Sequence, residues 1–337
     1  TLIVTAPLLG PLPDRIGRKP CVLLGLGLAA LSTLTLSLAP GVPGLAVARM
    51  AQGLAMGCVA GAAAAWATEL RGGGEAGAGR AAAVIAFATI GSFAVGGLLT
   101  LLAVTGWPDI APPLTFQGHV LVCCGCFALI AWLPETLPRG ERRATGGWLR
   151  RPAFPRGTWP TTLAIIPGWG TTGTMLTSVP AALSEAGMPL AGPVAACSMM
   201  LIGALAQLAA GGMAPRRAVA TGLIVLVLGA GLALWGATAA RLWPLLLGGT
   251  MVGIGTYAFI YPGGLGATAM AATGDERARA VAGYFVVAHI GFSAVPLAVG
   301  VAVDRMGVAP ALGLTWLGVA AAAVALVWRL RATRRPG

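Results

Sequence analysis

Apolar residues run through this chain in long charge-free blocks, without the short alternation of a water-facing surface. Lys, Arg, Asp and Glu are absent from residues 20–48, 50–68, 81–108, 110–134, 157–184, 186–215, 218–240, 242–274, 280–303 and 306–328. A helix needs about 20 apolar residues to cross the hydrocarbon core of a bilayer, so these runs predict ten transmembrane helices. Barrel strands are shorter and alternate polar with apolar positions, which these blocks do not. Residues 1–13 are charge-free too, but too few to span, and the chain opens on Thr1. This predicts a helix cut short at its start, with one more ahead of it. The pattern describes an all-α, polytopic membrane protein with about 11 helices present.

Composition agrees. Only 9% of the 337 residues are charged and 57% are hydrophobic, against about 25% charged in a soluble domain. A net charge of +12 points to nucleic acid only when it lies on one soluble face. Here it is sorted by loop. With the loop at 13–20 taken as cytoplasmic, the inner loops collect nearly every basic residue. Only Arg241 and Arg305 fall outside, and Arg49 lies within a span. This is the positive-inside distribution. It places the protein as a multi-pass component of the cytoplasmic membrane, with the lipid bilayer as its surroundings and no nucleic-acid partner.

The six cysteines sit inside or at the edge of apolar spans and read as packing residues. His119, Cys123 and Cys126 share a helical face, but no carboxylate or second His accompanies them, so no metal site is expected. No P-loop, dinucleotide fingerprint or HExxH is present. No cofactor is expected, and the chain carries no ATP-driving module of its own.

The long polar interruption is residues 134–160, rich in Arg, Pro and Gly, a composition suited to a basic linker on anionic headgroups. It divides the chain into an N-terminal bundle at 1–133 and a C-terminal bundle at 161–337. At an offset of 200, Ala88, Ile90, Gly91, Ala94 and Val95 match Ala288, Ile290, Gly291, Ala294 and Val295. The register also lays span on span and charged loop on charged loop. Two parallel repeats around a midplane site form a transporter architecture.

Residues 10–20, GPLPDRIGRKP, resemble the loop signature between helices 2 and 3 of the major facilitator superfamily, through Gly10, Leu12, Asp14, Arg15, Gly17, Arg18 and Lys19. Arg49, Gln52 and Gly53 resemble that family's helix-4 pattern, and Pro134, Glu135 and Thr136 its signature after helix 6. The counterpart loop in the second half, at 211–220, keeps Arg216 and Arg217 without an acid. The helix-5 antiporter pattern is reduced to Gly91, Gly96 and Gly97, without its Pro. The resemblance implies a two-bundle fold on a 12-helix plan and a gating role for Gly10, Asp14, Arg15, Gly17, Arg18 and Lys19, which latch the halves on the cytoplasmic side. The bland alternative is a capping carboxylate among ordinary inner-loop charges.

Substrate-binding or coupling candidates follow. Arg49 either snorkels to the outer interface or faces a cavity with Gln52 and Met56. Thr171, Thr174 and Ser178 form one polar stripe, and Thr250, Tyr257, Tyr261 and Thr268 another. Such stripes either glue helices together or line the pathway, and the resemblance places helices 4, 7 and 10 on the cavity. His289 lies near the midplane of its span. With an ordinary pKa of about 6.5 it is suited to carry a proton, or else it is a neutral helix contact.

The function expected is secondary active transport of a small organic solute by alternating access, with protons as the candidate coupling ion, and a monomeric state. Efflux of drugs or metabolites and uptake of nutrients such as sugars or organic anions both stay open. A sparsely charged cavity favours neutral or amphiphilic solutes, whereas Arg49 suits an anion. An intramembrane enzyme would need a convergent catalytic set, and no spacing here supplies one. A non-transporting scaffold is the remaining alternative.

Overall fold

The computed structural model describes residues 9, 11–39, 41–70, 74–138, 152–210, 212–272 and 276–332. The described residues are helical almost throughout, as lipid requires, since a spanning backbone must satisfy its own N–H and C=O groups. In order they are α1 (Leu12–Ile16), α2 (Arg18–Leu38), α3 (Val42–Glu69), α4 (Gly74–Gly106), α5 (Leu114–Trp132), α6 (Trp159–Leu163), α7 (Ile165–Leu176), α8 (Ser178–Glu185), α9 (Ala191–Ala209), α10 (Pro215–Thr238), α11 (Leu242–Gly253), a π segment (Ile254–Ile260), α12 (Tyr261–Ala271), α13 (Glu276–Met306) and α14 (Val308–Ala332). Among the described residues, eight continuous helical stretches are long and apolar enough to cross a bilayer. Of the two remaining charge-free runs, α4 takes up 81–106 of the run 81–108 and the broken series α6–α8 takes up 159–184 of the run 157–184.

The breaks have a covalent cause. Pro167 and Pro180 lack the N–H that would bond the carbonyls of Leu163 and Leu176. The helix is interrupted just there, at Ala164 and at Thr177, where the backbone turns to φ −125°, ψ −73°. This break separates Ser178 from the expected Thr171/Thr174 stripe. In the run at 242–274 the winding changes instead: Ile254–Ile260 is π-helical, so Thr250, Tyr257, Tyr261 and Thr268 do not share the single face that 3.6 residues per turn would give them.

By its contacts the chain forms two compact units. One comprises residues 1–86 and 102–151, the other 87–101 and 152–337. The middle of α4 therefore groups with the second unit, where a side chain at Gly97 would press on Cys197 Sγ at 2.8 Å. Gly10 and linker residues 139–151 lie outside the described residues.

Within each unit small residues set the packing, because lipid tails leave no hydrophobic drive between helices and close van der Waals contact must replace it. In the first unit Gly25 of α2 lies against Ala55, Cys58 and Val59 of α3. Ser32 Oγ donates to Ala48 O at 2.9 Å. In the second unit Gly222, Gly229 and Gly236 recur every seven residues along α10, and they meet Gly255, Gly248 with Met251, and Leu245 respectively. Gly170 and Gly173 of α7 seat against Val295 and Pro296 of α13. Pro296 leaves the carbonyl of Phe292 without its helical donor, and that oxygen faces Gly173.

A methyl at Gly248 would collide with the backbone of Ala233, whereas one at Gly300 would meet nothing within 4 Å. Gly248→Ala is expected to destabilise the protein by about 1–3 kcal/mol, and Gly300→Ala to leave it unchanged or slightly stabilised. Thermal unfolding in detergent checks both.

Candidate functional site

At the start of α2 the chain assembles an ionic cluster. Gly17 has φ +106°, ψ 162°, backbone that only glycine adopts without strain. It lets α1 turn sharply into α2. Asp14 Oδ1 accepts from Arg18 Nη1 at 2.6 Å, and Arg18 Nε reaches Glu69 Oε1, at the end of α3, at 3.3 Å. Arg18 is the less exposed partner in both pairs, at 14% against 33% and 35%. Glu69 also accepts from the hydroxyl of Thr136.

No side chain of its own caps α2. Its cap comes from Glu135, whose carboxylate accepts from the backbone N–H groups of Arg18 at 3.1 Å and Lys19 at 3.2 Å. It accepts from Leu137 N as well. A carboxylate there satisfies orphan donors and meets the positive end of the helix dipole. Lys19 Nζ in turn donates to the carbonyls of Ala131 and Leu133 at the end of α5, where a cation suits the dipole. Arg15, on α1, is half-buried beside them. These bonds tie together elements of the first unit: α1, α2, α3 and the segment after α5. Sequence reading placed Asp14, Arg15, Arg18 and Lys19 together, left Glu135 as a signature letter and gave Glu69 no role.

Arg49 and Gln52 are both exposed on α3, with Arg49 Nη1 donating to Gln52 Oε1 at 2.7 Å. His119 is partnered by Thr33 Oγ1 at 2.8 Å, with Cys123 Sγ at 3.7 Å from its Nε2.

In the second unit an aromatic wall surrounds Trp169 of α7. Its ring centroid lies 6.2 Å from Tyr261, 6.5 Å from Phe285, 5.1 Å from His289 and 5.9 Å from Phe292. Phe285, His289 and Phe292 come from one face of α13 at spacings of four and three. All five residues are half-buried. His289 Nδ1 lies 2.7 Å from the Phe285 carbonyl, so the proton belongs on Nδ1 and Nε2 carries the lone pair in the neutral ring. Among the described residues, Trp169 Nε1 and Thr256 Oγ1 are buried without a hydrogen-bond partner, and Thr172 Oγ1 faces the Tyr257 hydroxyl. Thr172 sits one turn from Trp169, and Thr256, at the π segment, touches Gly168. The spacing 285, 289, 292 was the signal available for Phe285 and Phe292. Nothing in hydropathy singles out Trp169.

Tyr257 and Tyr261 part company. Tyr257 is buried, its ring against Gly203 of α9, while Tyr261 joins the wall. Thr171 and Thr174 lie elsewhere: buried, each back-bonding to the carbonyl four residues earlier, they line a cavity of about 40 Å³ with Ala233, Leu312, Thr315 and Trp316. Thr268, also buried, meets Thr162 Oγ1 at 3.3 Å.

Glu135→Gln keeps the shape of the cap and removes its charge. It is expected to lower stability by about 1 kcal/mol, and Gly17→Ala to cost a comparable amount by strain; chemical unfolding in detergent measures both.

Comparison with known proteins joins these features. No curated protein matches the chain. Solved transporters match across its length: a POT family transporter in complex with 5-aminolevulinic acid at TM-score 0.74, 12% identity and coverage of 99% of this chain and 86% of that one; the transporter FucP in the outward conformation at 0.60, 17%, 99% and 90%; and the human organic anion transporter MFSD10 (TETRAN) at 0.57, 16%, 98% and 80%. At such identities the likeness is one of fold. The family pattern described as Major Facilitator Superfamily matches residues 1–239. With its all-α polytopic architecture and the loop cluster at Asp14–Lys19, the chain belongs to the Major Facilitator Superfamily, as a multi-pass secondary transporter.

Proposed function

We propose that this chain exports a small organic solute of low charge, a drug or metabolite, across the cytoplasmic membrane in exchange for protons, with His289 carrying the proton. The observation behind this reading is the setting of His289. Its Nδ1 is anchored to the Phe285 carbonyl, and that bond survives in both protonation states because Nδ1 donates in each. Proton gain and loss then fall to Nε2 without disturbing the wall. The run 280–303 holds no Asp, Glu, Lys or Arg, nor do the runs of α7 and of α11–α12, so an imidazole is the titrating group these spans offer.

The Asp14–Arg18–Glu69 cluster, capped by Glu135, serves as the cytoplasmic latch, made and released as access alternates. Arg49 and Gln52 form the polar contribution of the first unit to the pathway, Thr171 and Thr174 contribute through the small cavity they line with α10 and α14, and Tyr257 from its buried position against α9. The protein works as a monomer.

Reconstituted in liposomes with a pH gradient, the wild type is expected to concentrate its solute against the gradient of that solute. His289→Gln should abolish this drive and retain solute-for-solute exchange. Unchanged pH-driven accumulation in the variant would remove His289 from the coupling step. Asp14→Asn is expected to slow exchange at least tenfold, read in the same vesicles, and undiminished exchange would refute the latch.

A further inference from the structure

The wall also bears on what is carried, and this inference rests on the transport reading above. Three features converge on it. It is built of rings: Trp169, Tyr261, Phe285 and Phe292, with the imidazole of His289 among them. Rings so arranged prefer edge-to-face or offset contact with another ring, worth about 0.5–1.5 kcal/mol per pair beyond the area buried. No charged side chain occurs in the spans that supply these residues between 157 and 184, 242 and 274, or 280 and 303, so the wall supplies no ion-pair partner. Finally, its hydrogen bonding is incomplete. Among the described residues the indole N–H of Trp169 is buried without an acceptor, and the hydrogen bond of His289 runs through Nδ1.

A buried N–H without a partner costs about 1–3 kcal/mol. A solute that brings an acceptor to it regains that cost on binding. His289 Nε2 adds the opposite polarity, a lone pair awaiting a donor. We propose that the second unit selects a planar aromatic or heteroaromatic solute bearing adjacent hydrogen-bond acceptor and donor groups, the acceptor for Trp169 Nε1 and the donor for His289 Nε2. Polyhydroxylated aliphatic solutes such as sugars gain nothing from the rings, and small inorganic ions find no counter-charge.

The test uses the full chain in lipid nanodiscs and in liposomes. The probes are 2-quinolone, which carries a carbonyl beside an N–H on a flat bicycle; naphthalene, flat without polar groups; and galactose. Equilibrium binding of radiolabelled probe is expected to rank 2-quinolone above naphthalene and both above galactose. Trp169→Phe keeps a ring and removes the N–H. It should weaken 2-quinolone about tenfold and leave naphthalene within twofold. Equal loss for the two, no loss for either, or galactose bound as tightly as 2-quinolone overturns the proposal. Counterflow in liposomes separates the two readings. Exchange of galactose but not 2-quinolone keeps the transporter reading and overturns this one, whereas selective binding and exchange of 2-quinolone with no drive from a pH gradient supports this one and overturns proton-coupled export.

Discussion

Helices in lipid have no water to flee from together, so what holds this protein in shape is how near its backbones can come to one another. The seven-residue spacing of Gly222, Gly229 and Gly236 on α10 admits α11 at backbone distance. The pair Gly170 and Gly173 does the same for α7 against α13. Each close approach removes a side chain that would otherwise fill space, which is why so much of the buried core is alanine and glycine. The aromatic wall lies on that second seam, with Trp169 beside Gly170 on α7 and Phe292 coming from α13.

The ionic cluster follows a different logic. Partial exposure weakens each of its ion pairs, and its importance lies in geometry. Glu135 closes the N-terminus of a helix that begins 117 residues earlier, and Lys19 closes the C-terminus of α5 in return. Two helix ends are thus completed by side chains from the opposite element. Disturbing either side chain strips the cap from one of the two helix ends and loosens the link between them, so the cluster acts as a unit.

Much of this was legible in the sequence. Charge-free blocks reveal spans because the cost of an unpaired charge in lipid is visible letter by letter, and among the described residues eight of the ten runs hold a continuous helix long and apolar enough to cross. Asp14, Arg18 and Lys19 were legible because they are adjacent in the chain. Glu69 was not, since its link to Arg18 depends on where two helices end. The interruptions at Ala164 and Thr177 and the π segment escaped for a related reason: hydropathy records what a residue is, whereas winding depends on which amide bonds which carbonyl. Pro167, Pro180 and Pro262 were the hints. The even 3.6-residue period assumed for Tyr257 and Tyr261 failed at that point, and Tyr257 turned inward while Tyr261 reached Trp169.

The π segment has a wider meaning. An α-helix becomes locally π-helical when it accommodates a surplus residue, and each residue turns the succeeding part by about 100°. Shortening Ile254–Ile260 by one position would swing α12 about its axis and carry the ring of Tyr261 away from the indole, with every lining amino acid retained. The cargo preference of such a protein is therefore open to change by insertion and deletion as well as by substitution, a route that comparing lining residues alone would overlook.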